Sequence, residues 1–521
     1  MKTWFVSSLL SLGLMSLPAY GMRAQEGLAC LEVGDLACAI EVRDAVLAQG
    51  DDSDMTRILQ MRTLFREGRY DEAVSVLEIL EARNPESLQR ETNPYRNTAR
   101  AFRGMQQAEG DAVVVRHARG VERVLRDEAL EVMERSREVY DRLFGGAPNH
   151  DVLLDIFPTA NRFILASGLP PEAVRKTGVV ALSKWSRLLI SSPRALSRGY
   201  GWKDTIAHEY IHLVVSFRSE DRTPVWLQEG LAKLLESRWR EDKNTALTVH
   251  QQSLLAAAVK NDGFVPFEKF KHSMAYLDSG DEAALAFAQV ATLVEHVLLQ
   301  GSLDALPGIM DRIRDGEAPQ LVMAQAGGYA DFDALLAGWK NWLGTKSLIA
   351  EEVATLPVIL DADADDYEED PLIAADMSRI RAARLGDLLL EHKRPLAALI
   401  EFRKAAGDDG PPSPLMMARE AACLMALERV DEALALSQKG VDLYPEFTLL
   451  WVTRGRLLDT LGRQRSATSA WLNAHDLNPF DVETQTALVG GLKALGRNED
   501  AQRHARYLRI LTTGGASTGA R

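Results

Sequence analysis

The stretch "DTIAHEYIHLVV", residues 204–215, sets His208 and His212 four apart and places Glu209 directly after the first. Residues i and i+4 share one face of a helix, so the two imidazoles can aim at a single point while Glu209 projects beside them. Two neutral imidazoles suit borderline-soft Zn²⁺, which takes three protein ligands in a reactive site and keeps a fourth position for water. The ion makes that water acidic near neutral pH, and Glu209 can take its proton and pass it to a leaving amine. Taken alone, the pair also fits a buried helix with two satisfied core histidines.

A third ligand separates these readings. "TPVWLQEGLAKLLES", residues 223–237, offers Glu229, seventeen residues after His212. Pro224 opens a second helix there, and Trp226, Leu227, Leu231 and Leu234 fall at core spacing. Glu229 then sits among apolar neighbours, where an unpaired carboxylate is costly and coordination removes the cost. Around these helices lie short β-rich runs, "DAVVVRH" (111–117), "VLLDIFPT" (152–159) and "RLLISSP" (187–193), alternating with helical stretches such as "EALEVMERSREVYDRLF" (128–144). A mixed α/β domain over residues 111–345 follows. "RLLISSP" is the best edge-strand candidate, because its proline stops further pairing.

With these residues in place, the chain resembles the gluzincin metallopeptidases, specifically the peptidase MA-like domain. The shared motifs are "HEYIHLVV" (208–215) and "PVWLQEGLAKLLE" (224–236). "LAFAQVATLVEHVLLQGSLDALPGIMDRIRDG" (285–316) and "FDALLAGWKNWL" (332–343) look like the family's closing helices. The resemblance implies an α+β zincin-like fold, one Zn²⁺ per chain held by His208, His212 and Glu229, and Glu209 as general base. It also implies a peptide or protein substrate lying extended beside the sheet's edge. One position departs: where the family commonly reads A-Y-A-Q-S, this chain reads "AFAQV", with Phe287 in place of the tyrosine. Phenylalanine cannot donate a hydrogen bond to a tetrahedral intermediate. Tyr200, Tyr276, His250 and His272 are alternative donors, none of them assigned.

A second pattern frames the first. Ala433, Ala467 and Ala501 recur at 34-residue intervals, as do Gly462 and Gly496, and Pro445 and Pro479. This resembles the tetratricopeptide repeat, a helical hairpin whose small alanine permits close helix approach. "LGDLLLEHKRPLAALIEFRKAAG" (385–407) looks like one more unit, slightly out of phase. The beat returns near the N-terminus, where Gly68 and Ala73 follow Gly34 and Ala39 by 34 residues. In that register Cys30 falls late in one helix and Cys38 early in the next, across a tight turn. A disulfide or two free thiols both fit, and the register favours the bridge. Such arrays present a groove for a protein partner or pack against the neighbouring domain.

The N-terminus, "MKTWFVSSLLSLGLMSLPAYG", has an early lysine, an apolar run from Trp4 to Leu17, and Ala19 and Gly21 at −3 and −1 of a cleavage site. That is the layout of a secretory signal. The resulting expectation is a mostly helical chain divided into a signal peptide (1–21), N-terminal repeats (22–110), the metal domain (111–345), an acidic linker (346–375) containing "DADADDYEEDP", C-terminal repeats (376–511) and a flexible tail (512–521). No segment past the leader is read as long and apolar enough to cross a membrane, so the expected location is periplasmic or secreted. With Asp and Glu at 74 against Lys and Arg at 60, the net charge of −14 argues against nucleic acid or an anionic membrane as partner. Two functions fit the whole. One is a peptidase working through a zinc-bound water. The other is an inactive zinc-binding repeat scaffold, for which Phe287 speaks and against which the intact Glu209 speaks.

Overall fold

The computed structural model describes residues 19–83, 93–274, 277–360, 367, 370–407 and 410–514. Most of the signal segment, most of the acidic run, Tyr276 and the last seven residues lie outside them.

Five strands form one mixed sheet: β1 (Met105–Glu109), β2 (Val113–Ala118), β3 (Val152–Phe157), β4 (Ala181–Lys184) and β5 (Arg187–Ser191). Their order is β1-β2-β3-β5-β4, parallel through β2, β3 and β5 and antiparallel at both edges. β3 and β5 are buried throughout, as strands covered on two faces must be. Alternation divides their side chains: Val152, Leu154, Ile156, Leu188 and Ile190 join the main core, while Phe157 and Leu189 join a smaller cluster on the opposite face.

Two expectations are corrected here. β5 is not an edge strand. The chain ahead of it folds back through Trp185 and Ser186, both at positive φ, so β4 takes the outer position. Positive φ at both central residues is the hairpin turn whose twist matches the strands. The sheet also starts upstream of residue 111, because polar β1 pairs along β2 from Met105.

The main core lies between the sheet and four helices: α1 (Arg126–Phe144), α2 (Trp202–Arg218), α3 (Val225–Leu235) and α4 (Gly280–Gly301). By length and composition α4 could cross a membrane, contrary to the sequence expectation. It is instead the core helix of this domain, burying Leu285, Ala288, Val290, Val294 and Val297.

Helical hairpins flank this domain. At the N-terminal side Ala19–Glu32 pairs with Leu36–Ala48, and Asp54–Arg66 with Tyr70–Arg83. Ala39 and Ala73 are fully buried at the helix crossings, and Cys30 and Cys38 are joined by a disulfide. This array seats on the sheet through a buried ionic cluster. The Arg116 Nε donates to Asp155 at 2.8 Å, Arg187 Nη1 lies 3.2 Å from the same carboxylate, and Tyr70 bonds both guanidinium groups. Asp155 and Arg187 have no exposed surface, so the paired charges and the surrounding Phe65, Tyr70, Phe102 and Trp185 rings hold the cluster together.

On the C-terminal side are four hairpins: Met377–Glu391 with Pro395–Ala406, Pro414–Ala426 with Val430–Leu443, Thr448–Thr460 with Gln464–Leu477, and Val482–Ala494 with Asn498–Gly514. The last helix continues through residue 512, where a tail was expected to begin, because Ile510 and Leu511 pack on the main core. Similarly, Ile373, inside the span read as linker, is fully buried in the core of these repeats.

Candidate metal centre

α2 carries the histidines and buries Ile206, Ala207, Tyr210, Ile211 and Val214 against α1 and the sheet, which fixes its rotation. α3 follows after a tight turn and starts at Pro224. It crosses α4 so closely that a Cβ on Gly230 would stand 2.8 Å from the Val290 carbonyl oxygen. Glycine after Glu229 is therefore what lets α3 lie where its carboxylate reaches the histidines.

The three sequence candidates converge. His208 Nε2 and His212 Nε2 are 3.1 Å apart, and Glu229 Oε2 lies 3.4 Å from the first and 3.5 Å from the second. A tetrahedral ion with bonds of about 2.05 Å has edges of about 3.3 Å between its ligand atoms. The donor triangle fits that shape, and its mix of imidazole and carboxylate is one that zinc accepts. All three side chains are half-buried, so the site opens to solvent.

Glu209 is buried and is not one of the three converging donors; its carboxylate accepts the Ser183 backbone N–H of β4. Burial raises its pKa, and the neighbouring Glu229 charge adds to that, against the pull of His212 and His208. For Glu229, burial acts upward too, but His212 and His208 outweigh it and hold the carboxyl well below its usual range. Burial alone would lower the His208 imidazolium, yet Glu229 and Glu236 outweigh it and hold it up at about 10. A dication needs neutral imidazole, so its binding here expels that proton.

Glu236 is the functional residue that the sequence reading missed. Its Oε2 is 2.9 Å from His208 Nδ1, and Lys233 Nζ holds the other oxygen at 2.6 Å. The signal was available: Glu236 follows Glu229 by seven residues, two turns along the same helix face. A carboxylate on the second ring nitrogen fixes the tautomer and the ring orientation of a metal-binding histidine. Glu236→Gln is expected to weaken zinc affinity by about 10–100-fold with the fold intact, measured by competition against a chromogenic chelator. Unchanged affinity would assign Glu236 to α3 packing alone.

The alternative donors separate clearly. The Tyr200 hydroxyl donates to the Ser191 carbonyl at 2.5 Å, and the nearby Glu209 charge adds to the effect of burial in raising its pKa. His250 is paired with Asp281 at 3.2 Å, His272 is exposed, and Tyr276 lies outside the described residues. Phe287 packs half-buried on the main core. Of the described alternatives, Tyr200 is the one coupled to Glu209.

The C-terminal repeats brace the start of α2. The Tyr200 N–H donates to the Leu477 carbonyl at 3.0 Å. Lys203, in the first turn of α2, reaches Glu128 of α1 at 2.6 Å and Asp476 at 2.7 Å. His475 Nε2 meets the same Glu128 at 2.8 Å.

No family model matches this chain, and no curated protein matches it. Among solved structures it is similar to native leukotriene A4 hydrolase from Saccharomyces cerevisiae, with a TM-score of 0.31 and 12% identity over 79% of this chain and 66% of that one. The same yeast enzyme in complex with bestatin gives a TM-score of 0.28 at 12% identity, covering 78% of this chain and 67% of that one. Yeast Tom70 gives 0.20 and 13% over 96% of this chain and 92% of its own. At these scores the assignment of the site rests on its own atoms.

Proposed function

We propose that this chain is an exported zinc-dependent metallopeptidase that hydrolyses peptide bonds in protein or peptide substrates, with its repeat arrays gathering substrate or partner. The observation that carries the proposal is the triangle of His208, His212 and Glu229 donors, at edges of 3.1 to 3.5 Å, with Glu209 alongside and bonded to β4. Zinc held by His208, His212 and Glu229 would supply Lewis acidity. Glu209 would act as the general base, taking a proton from the attacking water and returning it to the departing nitrogen. β4 is the free edge of the sheet beside Glu209, so an extended substrate can pair with it through main-chain hydrogen bonds. The Cys30–Cys38 bridge supports the exported reading, since disulfides persist in oxidising compartments.

The purified mature chain is expected to carry about one zinc per molecule and to cleave an unfolded protein such as reduced casein. Chelation should abolish cleavage, and added zinc should restore it. Protein that holds no zinc overturns the proposal.

A further inference from the structure

The first C-terminal hairpin, Met377–Glu391 and Pro395–Ala406, opens its array and has no hairpin before it to pack against. Its register is fixed by two equivalent contacts. A Cβ on Gly386 would meet the Phe402 ring at 2.5 Å, and one on Gly455 would meet the Trp471 ring at 2.6 Å. Leu388 is therefore the counterpart of Leu457, and Leu396 and Ile400 are the counterparts of Arg465 and Ser469. Leu457 is 2% exposed and shares a core with Val441 and Leu443 of the preceding hairpin, whereas Leu388 is 54% exposed. Leu396 and Ile400 are each 59% exposed, at positions where the last hairpin carries Glu499 and Arg503. Leu385, 45% exposed, lies one helical turn before Leu388. Among the described residues, the short helix Pro371–Ala374 covers one end of the hairpin through buried Ile373, and Tyr367 packs beside Arg384 and bonds Asp387. Large apolar residues thus stand where the third and fourth hairpins have a neighbour, a charge or a small polar residue.

We infer that this face joins two copies of the chain, with their Met377–Glu391 helices packed antiparallel about Leu385 and Leu388. What covers the equivalent face in later hairpins is a helix, and a second copy brings one of matching shape. The charges agree with that pairing. Arg381 and Glu391 are exposed and have no ion-pair partner among the described residues. Arg381 lies four residues before Leu385, and Glu391 three after Leu388. An antiparallel pairing about the leucines therefore brings Arg381 of each copy beside Glu391 of the other, once on each side of the axis. Such an isologous contact closes on itself and gives a dimer rather than a filament. The inference is independent of the metal site.

Sedimentation velocity of the full mature chain tests it. The wild type is expected to dimerise, and Leu388→Glu to remain monomeric with an unchanged circular dichroism spectrum. Arg381→Glu should weaken dimerisation roughly tenfold or more, since it sets like charges opposite each other. Combining it with Glu391→Arg should restore the wild-type constant. A monomeric wild type at about 100 µM overturns the inference, because it implies a Kd weaker than most stable dimers show. So does a dimer that ignores Leu388→Glu, or a double variant no better than Arg381→Glu alone. Binding of the monomer to phosphatidylglycerol vesicles, lost in Leu388→Glu, would reassign the face to a lipid surface.

Discussion

Glu209→Gln is expected to keep about one zinc per chain and to lower kcat on an unfolded protein substrate by about 10²–10⁴-fold, the usual worth of a positioned general base. The expectation follows from where the carboxylate sits. Glu209 is not part of the donor triangle, so its replacement leaves His208, His212 and Glu229 as they are. Glutamine keeps the length of the side chain and an oxygen for the Ser183 N–H. What it loses is the capacity to take a proton. KM should change little, because no binding group is removed. Zinc content by atomic absorption and turnover by release of peptide fragments check the two halves separately. A variant that loses both has been misread as a base and is acting as a ligand. If wild type and variant are equally inert across a broad peptide library while both hold zinc, the metal domain is a binding module on a repeat scaffold. In that case Phe287, standing where a hydrogen-bond donor is usual in the family it resembles, was the informative residue.

How much of this could be read from the residues depended on how local the physics was. The histidine pair was legible because a helix repeats every 3.6 residues, so a four-residue spacing fixes a shared direction without any tertiary information. Glu229 was legible through an energetic argument, the cost of a carboxylate in an apolar run. The 34-residue beat of Ala433, Ala467 and Ala501 was legible because two helices can cross closely only over a small side chain, and all three are buried in the fold. β4 was missed because it spans only Ala181–Lys184 and its turn is Trp-Ser, without the Asn-Gly signature that usually announces such a hairpin. β1, "MQQAE", was missed because its three polar residues outnumber Met105 and Ala108 and show no alternation; it is an edge strand held mainly by pairing, with Met105 packed on the smaller core cluster. The brace on α2 was out of reach for a different reason. Lys203 and Asp476 are 273 residues apart, and His475 and Glu128 are 347 apart, so no spacing rule connects them.

That brace makes the protein's stability depend on acidity. A chain of hydrogen bonds runs from the metal domain into the last hairpin: Glu128 to His475 Nε2 at 2.8 Å, Gln485 to His475 Nδ1 at 2.8 Å, and His504 Nδ1 to the other end of Gln485 at 2.8 Å. The Gln485 amide nitrogen faces His475 Nδ1, and its amide oxygen accepts from His504 Nδ1. Burial lowers the His504 pKa to about 3, and the His475 charge adds to that. The Glu128 carboxylate pulls the other way but is outweighed, and Lys203 and Arg503 add to the lowering. The unfolded histidine titrates near 6.5, so above that pH both states are neutral and His504 contributes no pH dependence. As pH falls below about 6.5 the unfolded chain gains a proton that the folded chain refuses, and stability is lost down to about pH 3. The slope reaches about 1.4 kcal/mol per pH unit, which puts the loss from this residue at about 2 kcal/mol by pH 5. Glu128, held well below its usual range by His475 and Lys203 against its own burial, adds a further loss at lower pH, once the unfolded carboxylate starts to protonate. His504→Asn retains a donor toward Gln485 and removes the titration. Urea unfolding at pH 7.5 and pH 5 is expected to show the wild type losing about 2 kcal/mol more than this variant between the two conditions. Equal losses in both proteins would mean that His504 takes up its proton in the folded chain as readily as in water, and that the contact between the last hairpin and the metal domain opens before the rest of the molecule does.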